Sequence, residues 1–250
     1  MSGAMLVASG LGKRFGGFTA LRDVSFEVQE RGIHAFIGPN GAGKTTLFNC
    51  LTGTTLPSSG RVLFCGRDVT KLPPYRRARL GVARSFQVTN LFQTLSVFES
   101  LRLAAQAQAG IAAFDFLRPK EHLATARATA ERVLERLGLH PWRQARAGEL
   151  SHGQQRILEI GLALAGQPII LLLDEPMAGM GVDDIETVKR LIVELGDDHT
   201  IVLIEHNMNV VLDVSRTISV MHQGSILAEG PPADIRRHQA VRAAYLGSQV

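Results

Sequence analysis

Gly38-Pro39-Asn40-Gly41-Ala42-Gly43-Lys44-Thr45-Thr46 is the stretch of this chain that decides its fold. It fits the pattern G-x-x-x-x-G-K-[ST], in which a glycine-rich turn joins a strand to a helix. Such a turn points several backbone N–H groups at an anion, next to the positive end of the helix dipole. The nine residues are therefore predicted to bind phosphate groups.

The residues on either side of this stretch predict the strand and the helix that the pattern requires. The run Ile33–Ile37 is apolar apart from one histidine and is typical of a short buried strand. From Thr45 onward, Leu47 begins an apolar helix face. In this context we expect Lys44 to reach the β- and γ-phosphates of a nucleotide, and Thr45 to offer its hydroxyl to Mg²⁺.

Length and composition limit the class of protein. The 250 residues suffice for one large domain or for a domain with a subdomain. No apolar stretch approaches the ~20 residues of a membrane span, and residues 1–10 lack a secretory signal pattern. Cys50 and Cys65 have no metal-ligand spacing and are typical of reduced thiols in a cytosolic protein. The net charge of +4 fits a nucleotide site, an acidic partner or an anionic membrane surface, and it does not by itself indicate nucleic acid.

Short strand-like segments flank the glycine-rich stretch, and a helical region follows them. Alternating patterns predict an antiparallel β edge subdomain from three segments, Met5–Ala8, Ala20–Val28 and Gly60–Cys65. From Glu121 to Leu137, apolar residues recur at spacings of three and four, which predicts an amphipathic helix that ends at Gly138. We expect residues 88–154 to form an inserted helical subdomain, with a loop at residues 110–119.

Buried-strand patterns return in the second half of the chain. Three apolar, β-rich runs occur at Ile169–Leu173, Thr200–Ile204 and Thr217–Met221, and Asp183–Leu195 has helical periodicity. Strand–helix–strand order favours a parallel sheet. The chain is therefore predicted to be a single α/β domain, residues 1–250.

Two carboxylates follow the first of these runs, at Asp174 and Glu175. A carboxylate at the end of a strand lies where open α/β sheets bind ligands. Asp174 is placed to hold Mg²⁺, and Glu175 is placed to orient and polarise an attacking water.

A second anion site is predicted before this strand, in Leu150-Ser151-His152-Gly153-Gln154. A helix is expected to run from here to about Ala165, and Ser151 is a good N-cap for it. The free N–H groups of the first turn favour an anion.

These motifs and their order resemble the nucleotide-binding subunits of ATP-binding-cassette (ABC) proteins over residues 6–247. The resemblance implies a P-loop NTPase core that binds ATP and Mg²⁺ and hydrolyses ATP. It implies that Phe15 stacks on adenine, and that Gln87 senses Mg²⁺ and the γ-phosphate. It also implies that His206 contacts the γ-phosphate, so that Gln87, His206, Lys44 and Glu175 form the catalytic set.

The same resemblance implies a site that is split between two subunits. Ser151, Gly153 and Gln154 would bind the γ-phosphate of ATP held by a second ATP-binding subunit, in a homo- or heterodimer. Two positions depart from the family's pattern. Gly181 stands where the loop after the catalytic glutamate often has Asp, and His152 stands where many members have Gly.

A finer resemblance is to the ATP-binding subunits of branched-chain amino acid importers. It lies in the segments Phe48–Gly53, Ala83–Gln87, Ala178–Gly181 and Ala244–Gly247. It implies integral membrane permease subunits as partners, a periplasmic solute-binding protein as an indirect partner, no nucleic acid, and a peripheral position on the cytoplasmic face of the inner membrane. Urea importers and the ATPase of lipopolysaccharide export share parts of these segments, so both stay open. A soluble ABC protein that works on DNA or ribosomes is a third alternative, which the single set of motifs disfavours.

The connector after Gln87, residues 88–98, is unusually apolar. We expect Val97 and Phe98 to pack under the helical subdomain. Leu91 and Phe92 are expected to be exposed, in a groove that receives a short cytoplasmic helix of the permease.

Overall fold

Two β-sheets and the helices around them make up the computed structural model, which describes residues 3–85, 91–108 and 120–246. The strands are β1 Leu6–Phe15, β2 Phe18–Val28, β3 Gly32–Ile37, β4 Ser59–Phe64, β5 Arg67–Asp68, β6 Val82–Arg84, β7 Ile170–Asp174, β8 Thr200–Ile204, β9 Thr217–His222 and β10 Ser225–Gly230. The helices are α1 Lys44–Thr52, α2 Pro74–Arg79, α3 Val97–Gln108, α4 Lys120–Arg136, α5 His152–Ala165, α6 Val182–Gly196, α7 Met208–Val214, α8 Pro232–Arg237 and α9 Gln239–Leu246. Within the described ranges, no helix combines the length and the apolar character needed to cross a bilayer.

The larger sheet has the strand order β10-β9-β3-β8-β7-β6. Its strands run parallel from β9 to β6, and β10 is antiparallel to β9. All residues of β7 and β8 are buried, as expected for parallel strands covered on both faces. The predicted parallel sheet is confirmed. Because β8 lies between β3 and β7, the carboxyl ends of these three strands meet at one edge of the sheet, where ligands bind.

The smaller sheet is antiparallel, with the order β2-β1-β4-β5, which confirms the predicted edge region. Leu47, Phe48 and Leu51 of α1 are buried in one cluster with Phe26 of this sheet and Phe36 of the larger sheet. Helix α1 is thus held by apolar contacts to both sheets.

The carboxyl end of α1 is fixed by Arg77, a fully buried arginine of α2. Its guanidinium donates hydrogen bonds to the backbone carbonyls of Cys50 and Leu51 at 2.7 and 2.6 Å, and to those of Leu72 and Thr70. Burial lowers the pKa of Arg77 to about 10. A cation at the negative end of a helix dipole stabilises the helix, so α2 locks the helix that follows the glycine-rich loop.

The helical region packs through fully buried leucines, among them Leu101 of α3, Leu134 of α4 and Leu158 of α5. Helix α4 occurs where the amphipathic pattern predicted it. The predicted loop at residues 110–119 lies outside the described residues. The limits of the inserted subdomain, 88–154, stay a prediction, and residue 154 lies in the first turn of α5.

The apolar connector is only partly as predicted. The side chain of Phe92 is 70 % exposed, whereas Val97 and Phe98 are buried. The prediction that Leu91 is exposed is wrong. Leu91 is only 8 % exposed because it joins the large cluster that also holds Val97 and Phe98. Residues 88–90 lie outside the described residues.

Candidate functional site

The glycine-rich loop joins β3 to α1 at the ligand-binding edge of the larger sheet. Gly43 precedes α1 with φ +101°, a backbone conformation that favours glycine. A Cβ there would lie 2.7 Å from the carbonyl oxygen of Ala20. The Ala42 carbonyl accepts a 3.0 Å hydrogen bond from Gly224 N–H in the turn between β9 and β10. The hydrogen bond fixes the loop against the β9–β10 turn, and the close approach of Ala20 leaves no room for a side chain at position 43.

Lys44 is buried at the start of α1 and is folded back over the loop. Its Nζ donates hydrogen bonds to the carbonyl oxygens of Gly38, at 2.6 Å, and Pro39, at 3.3 Å. Burial lowers the pKa of Lys44, and the nearby carboxylates of Glu175, Asp174 and Glu205 partly oppose that shift. A buried ammonium that faces three acids fits a site that balances the charge of a bound anion and a cation.

A cavity of about 210 Å³ opens over this loop. Its walls are built by Phe18, Ala20, Asn40, Gly41, Ala42, Gly43, Lys44, Thr45, Thr46 and Glu175. The cavity therefore brings most of the predicted phosphate-binding residues together with the predicted catalytic glutamate.

Glu175 has a left-handed backbone conformation, with φ +47°. Its N–H donates a 2.9 Å hydrogen bond to the Ile204 carbonyl at the end of β8. For a residue other than glycine this conformation is uncommon and is found at functional sites more often than elsewhere. It turns the chain sharply after β7, and the half-buried Glu175 lines the cavity.

Asp174, at the end of β7, is only 2 % exposed, and its Oδ2 accepts a 2.6 Å hydrogen bond from Arg84 at the end of β6. The same guanidinium donates a 2.7 Å hydrogen bond to Asn49 Oδ1 of α1. Among the described residues, no group of three or more His, Cys, Asp or Glu side chains could hold a metal ion. The Asp174 carboxylate and the exposed Thr45 hydroxyl are hard oxygen donors. Such donors suit Mg²⁺ when phosphate groups supply its other ligands.

Glu205 and His206 follow β8, between the other two strand ends. Glu205 is buried, and its carboxylate accepts hydrogen bonds from the backbone N–H of Met177, at 3.1 Å, and of His206, at 3.2 Å. Burial raises the pKa of Glu205. The exposed His206 ring has its Nδ1 3.7 Å from Glu205 Oε2.

Two aromatic residues pair across the β1–β2 turn. Phe15 lies opposite Phe18 in the strand register, and both are largely exposed. Phe18 lines the loop cavity, whereas the ring of Phe15 has Lys13 Nζ 4.9 Å from its centroid.

Ser151 caps α5 as predicted. Its hydroxyl accepts a 3.3 Å hydrogen bond from Gln154 N–H, and the Gln154 side chain accepts one of 2.9 Å from Ser151 N–H. Gly153 is buried, and a Cβ there would lie 2.5 Å from the Asp184 carboxylate of α6. His152 is exposed. These residues are not part of the loop cavity.

Three contributors to the site were missed by the sequence analysis, namely Phe18, Arg84 and Glu205. Glu205 directly follows a buried parallel strand, and Asp174 is the last residue of another, so the rule that singled out Asp174 would also have found Glu205. Gln87 lies outside the described residues, so its predicted role is untested.

Family comparisons agree with this geometry. The family model described as ABC transporter matches residues 21–178. A second model, described as branched-chain amino acid ATP-binding cassette transporter, matches residues 225–250.

Individual relatives are similar over nearly the full length. The chain is 43% identical over 253 residues to the high-affinity branched-chain amino acid transport ATP-binding protein LivG of Salmonella typhimurium, covering 99% of each. It is 40% identical over 255 residues to the corresponding protein BraF of Pseudomonas aeruginosa, also covering 99% of each. Among solved structures, the ADP conformation of an ATP-binding cassette of an ABC transporter superposes with a TM-score of 0.85 at 32% identity, covering 98% of this chain and 100% of that one.

Proposed function

This chain belongs to the ABC transporter family of ATP-binding proteins, and from that membership we propose that it is the ATP-hydrolysing subunit of an importer for branched-chain amino acids. The observation that carries the proposal is the cavity in which the phosphate-binding loop, Lys44 and Glu175 meet. The substrate class rests on the relatives named for branched-chain amino acid transport and on the matching tail, residues 225–250.

The phosphates of ATP would lie on the N–H groups of the glycine-rich loop, at the amino end of α1. Lys44 would exchange its bonds to the Gly38 and Pro39 carbonyls for the β- and γ-phosphates. Thr45, Asp174 and Gln87 would hold Mg²⁺, and the bound ion would supply positive charge next to the phosphates.

Glu175 would accept a proton from the attacking water, since it faces the loop across the cavity. His206 would contact the γ-phosphate from the end of the neighbouring strand. Phe15 would stack on adenine, with Phe18 beside it at the rim of the cavity.

A second ATP-binding subunit would complete the site. Ser151, Gly153 and Gln154 are not part of the loop cavity of their own chain, and the amino end of α5 favours an anion. We therefore assign them to the γ-phosphate of ATP bound by the other subunit. ATP would then close the dimer, and hydrolysis would reopen it.

The sequence predicted a permease groove at Leu91 and Phe92, but neither residue lines the groove that we assign to the permease, which has a volume of about 560 Å³. Small apolar residues of three elements line it, including Ala83 of β6, Ala104 of α3 and Ala163 of α5. The exposed Tyr75 and Arg79 of α2 form its rim. Such walls fit a short helix with acidic residues, supplied by the permease at the cytoplasmic face of the inner membrane.

The proposal is tested by purifying the chain with the membrane subunits that accompany it. Wild type should hydrolyse ATP when reconstituted with them and should drive uptake of branched-chain amino acids. Lys44→Ala should melt at a similar temperature but lose ATP binding and uptake. Export of a lipid cargo would instead favour the ATPase of lipopolysaccharide export, and full ATPase activity with no membrane partner would favour a soluble ABC protein.

A further inference from the structure

Arg84 belongs both to the permease groove and to the predicted metal site. It is the last residue of β6 and one of the residues that line the groove. Its guanidinium donates hydrogen bonds to Asp174 Oδ2 at 2.6 Å and to Asn49 Oδ1 at 2.7 Å. It also lies over the Phe48 ring of α1, 5.9 Å from the centroid.

The contact with Asp174 has an electrostatic consequence. Asp174 is almost completely buried, and a buried carboxylate needs a positive partner. A divalent cation that binds Asp174 has to share this carboxylate with Arg84, and the two positive charges repel each other. Binding of the cation and the Arg84–Asp174 hydrogen bond are therefore thermodynamically linked, and each weakens the other.

The groove provides the second link. Arg84 is among the residues that line the groove, so an acidic group on a segment bound there would compete with Asp174 for the guanidinium. We propose that Arg84 is a positioning residue that lowers the affinity of the nucleotide site for Mg²⁺ until the permease occupies the groove. This inference rests on the proposed function, because the groove's occupant is the permease.

The first experiment uses the isolated chain and needs no permease. The thermal shift produced by a fixed ADP concentration is recorded as MgCl₂ is varied, for wild type, Arg84→Gln and Arg84→Lys. We expect Arg84→Gln to lower the half-saturating Mg²⁺ concentration about tenfold, since one competing charge is removed, and Arg84→Lys to remain near wild type. Arg79→Gln, which removes a charge from the same groove without touching Asp174, should leave the Mg²⁺ curve unchanged.

Several results would overturn the inference. One is an Arg84→Gln protein that binds ADP with the Mg²⁺ dependence of wild type, and another is an equal shift in Arg79→Gln. Should Arg84→Gln fail to fold, Asn49→Ala removes one acceptor that competes with Asp174 for the guanidinium, and it should raise the half-saturating Mg²⁺ concentration because the bond to Asp174 is then strengthened. An unchanged curve in that variant would equally contradict the proposal. A wild-type chain that binds no ADP would instead contradict the proposed function.

The second experiment compares the isolated chain with the assembled transporter. Wild type should need severalfold less Mg²⁺ for ADP binding when assembled, whereas Arg84→Gln should show the same Mg²⁺ dependence in both states. If wild type shows the same Mg²⁺ dependence of ADP binding in both states, occupation of the groove does not affect the metal site, and the coupling role of Arg84 is overturned.

Discussion

Glu205 Oε1 accepts a 3.1 Å hydrogen bond from the backbone N–H of Met177. This bond joins the end of β8 to the loop that follows Glu175. The other carboxylate oxygen accepts from the N–H of His206. One buried side chain thus fixes the backbone next to both the predicted general base and the predicted γ-phosphate contact.

We expect Glu205→Gln to impair hydrolysis more than nucleotide binding. A glutamine can still accept from Met177, but its amide group would face the His206 N–H as a donor. Because a misplaced catalytic group costs up to about 10²-fold in rate, kcat should fall at least tenfold, with ATP affinity changed by less than about threefold. Steady-state kinetics and ATP titration measure both quantities. Glu131→Gln, on the surface of α4, is the control. A normal kcat in Glu205→Gln would show that the two hydrogen bonds of Glu205 do not position the site.

The pH dependence of stability should report on His34 in β3. His34 is buried, its ring stacks on Phe36 at 4.9 Å between centroids, and its Nε2 lies 2.7 Å from Ser219 Oγ. Burial lowers its pKa to about 4, whereas the unfolded chain takes up this proton near pH 6.5. The unfolded state therefore binds more protons between these two values, and the free energy of unfolding should fall as the pH is lowered through this window.

The expected loss from His34 alone is about 3 kcal/mol, from about 1.4 kcal/mol for each pKa unit. Urea unfolding of wild type and His34→Leu at pH 7 and at pH 4 separates the loss due to His34 from that due to distant carboxylates, which both proteins share. A third protein, Glu229→Gln, controls for the one carboxylate that lies 3.8 Å from His34 Nε2. If the difference in stability between the two proteins does not change with pH, His34 does not titrate as described.

Gly181 stands where related proteins often have Asp, and introducing that aspartate is expected to raise the free energy of unfolding. Gly181 is the N-cap of α6 with φ −70° and ψ 163°, and a Cβ there meets no atom within 4 Å. Any residue can therefore adopt this conformation, and an aspartate would cap the helix. We expect Gly181→Asp to be about 1 kcal/mol more stable than Gly181→Ala, since the two differ in the capping oxygen. Equal urea midpoints for the two variants would contradict this expectation.

Much of the site could be predicted because its chemistry is local in sequence. The glycine-rich loop, the strand that ends at Asp174 and the cap at Ser151 each occupy a few consecutive residues. The strands β5, β6 and β10 were missed. β5 and β6 have only two and three residues, and none of the six residues of β10 is buried, so its sequence lacks an apolar pattern. Contacts between segments that are distant in sequence could not be predicted either. The burial of Leu91 depends on a cluster that spans several helices, and Arg84 reaches Asp174 only because β6 and β7 are neighbours.

The central claim is that Glu175 is the general base of an ATP site shared by two subunits. It is tested most directly by Glu175→Gln, assayed for ATP hydrolysis and, by sedimentation with MgATP, for dimerisation. We expect turnover to fall by about 10²–10⁴-fold while ATP binding persists and ATP-bound dimers accumulate. Adding Ser151→Arg to this variant should abolish the dimer without affecting binding to the loop. Hydrolysis by Glu175→Gln at a rate near that of wild type, or dimers that survive Ser151→Arg, would contradict the account.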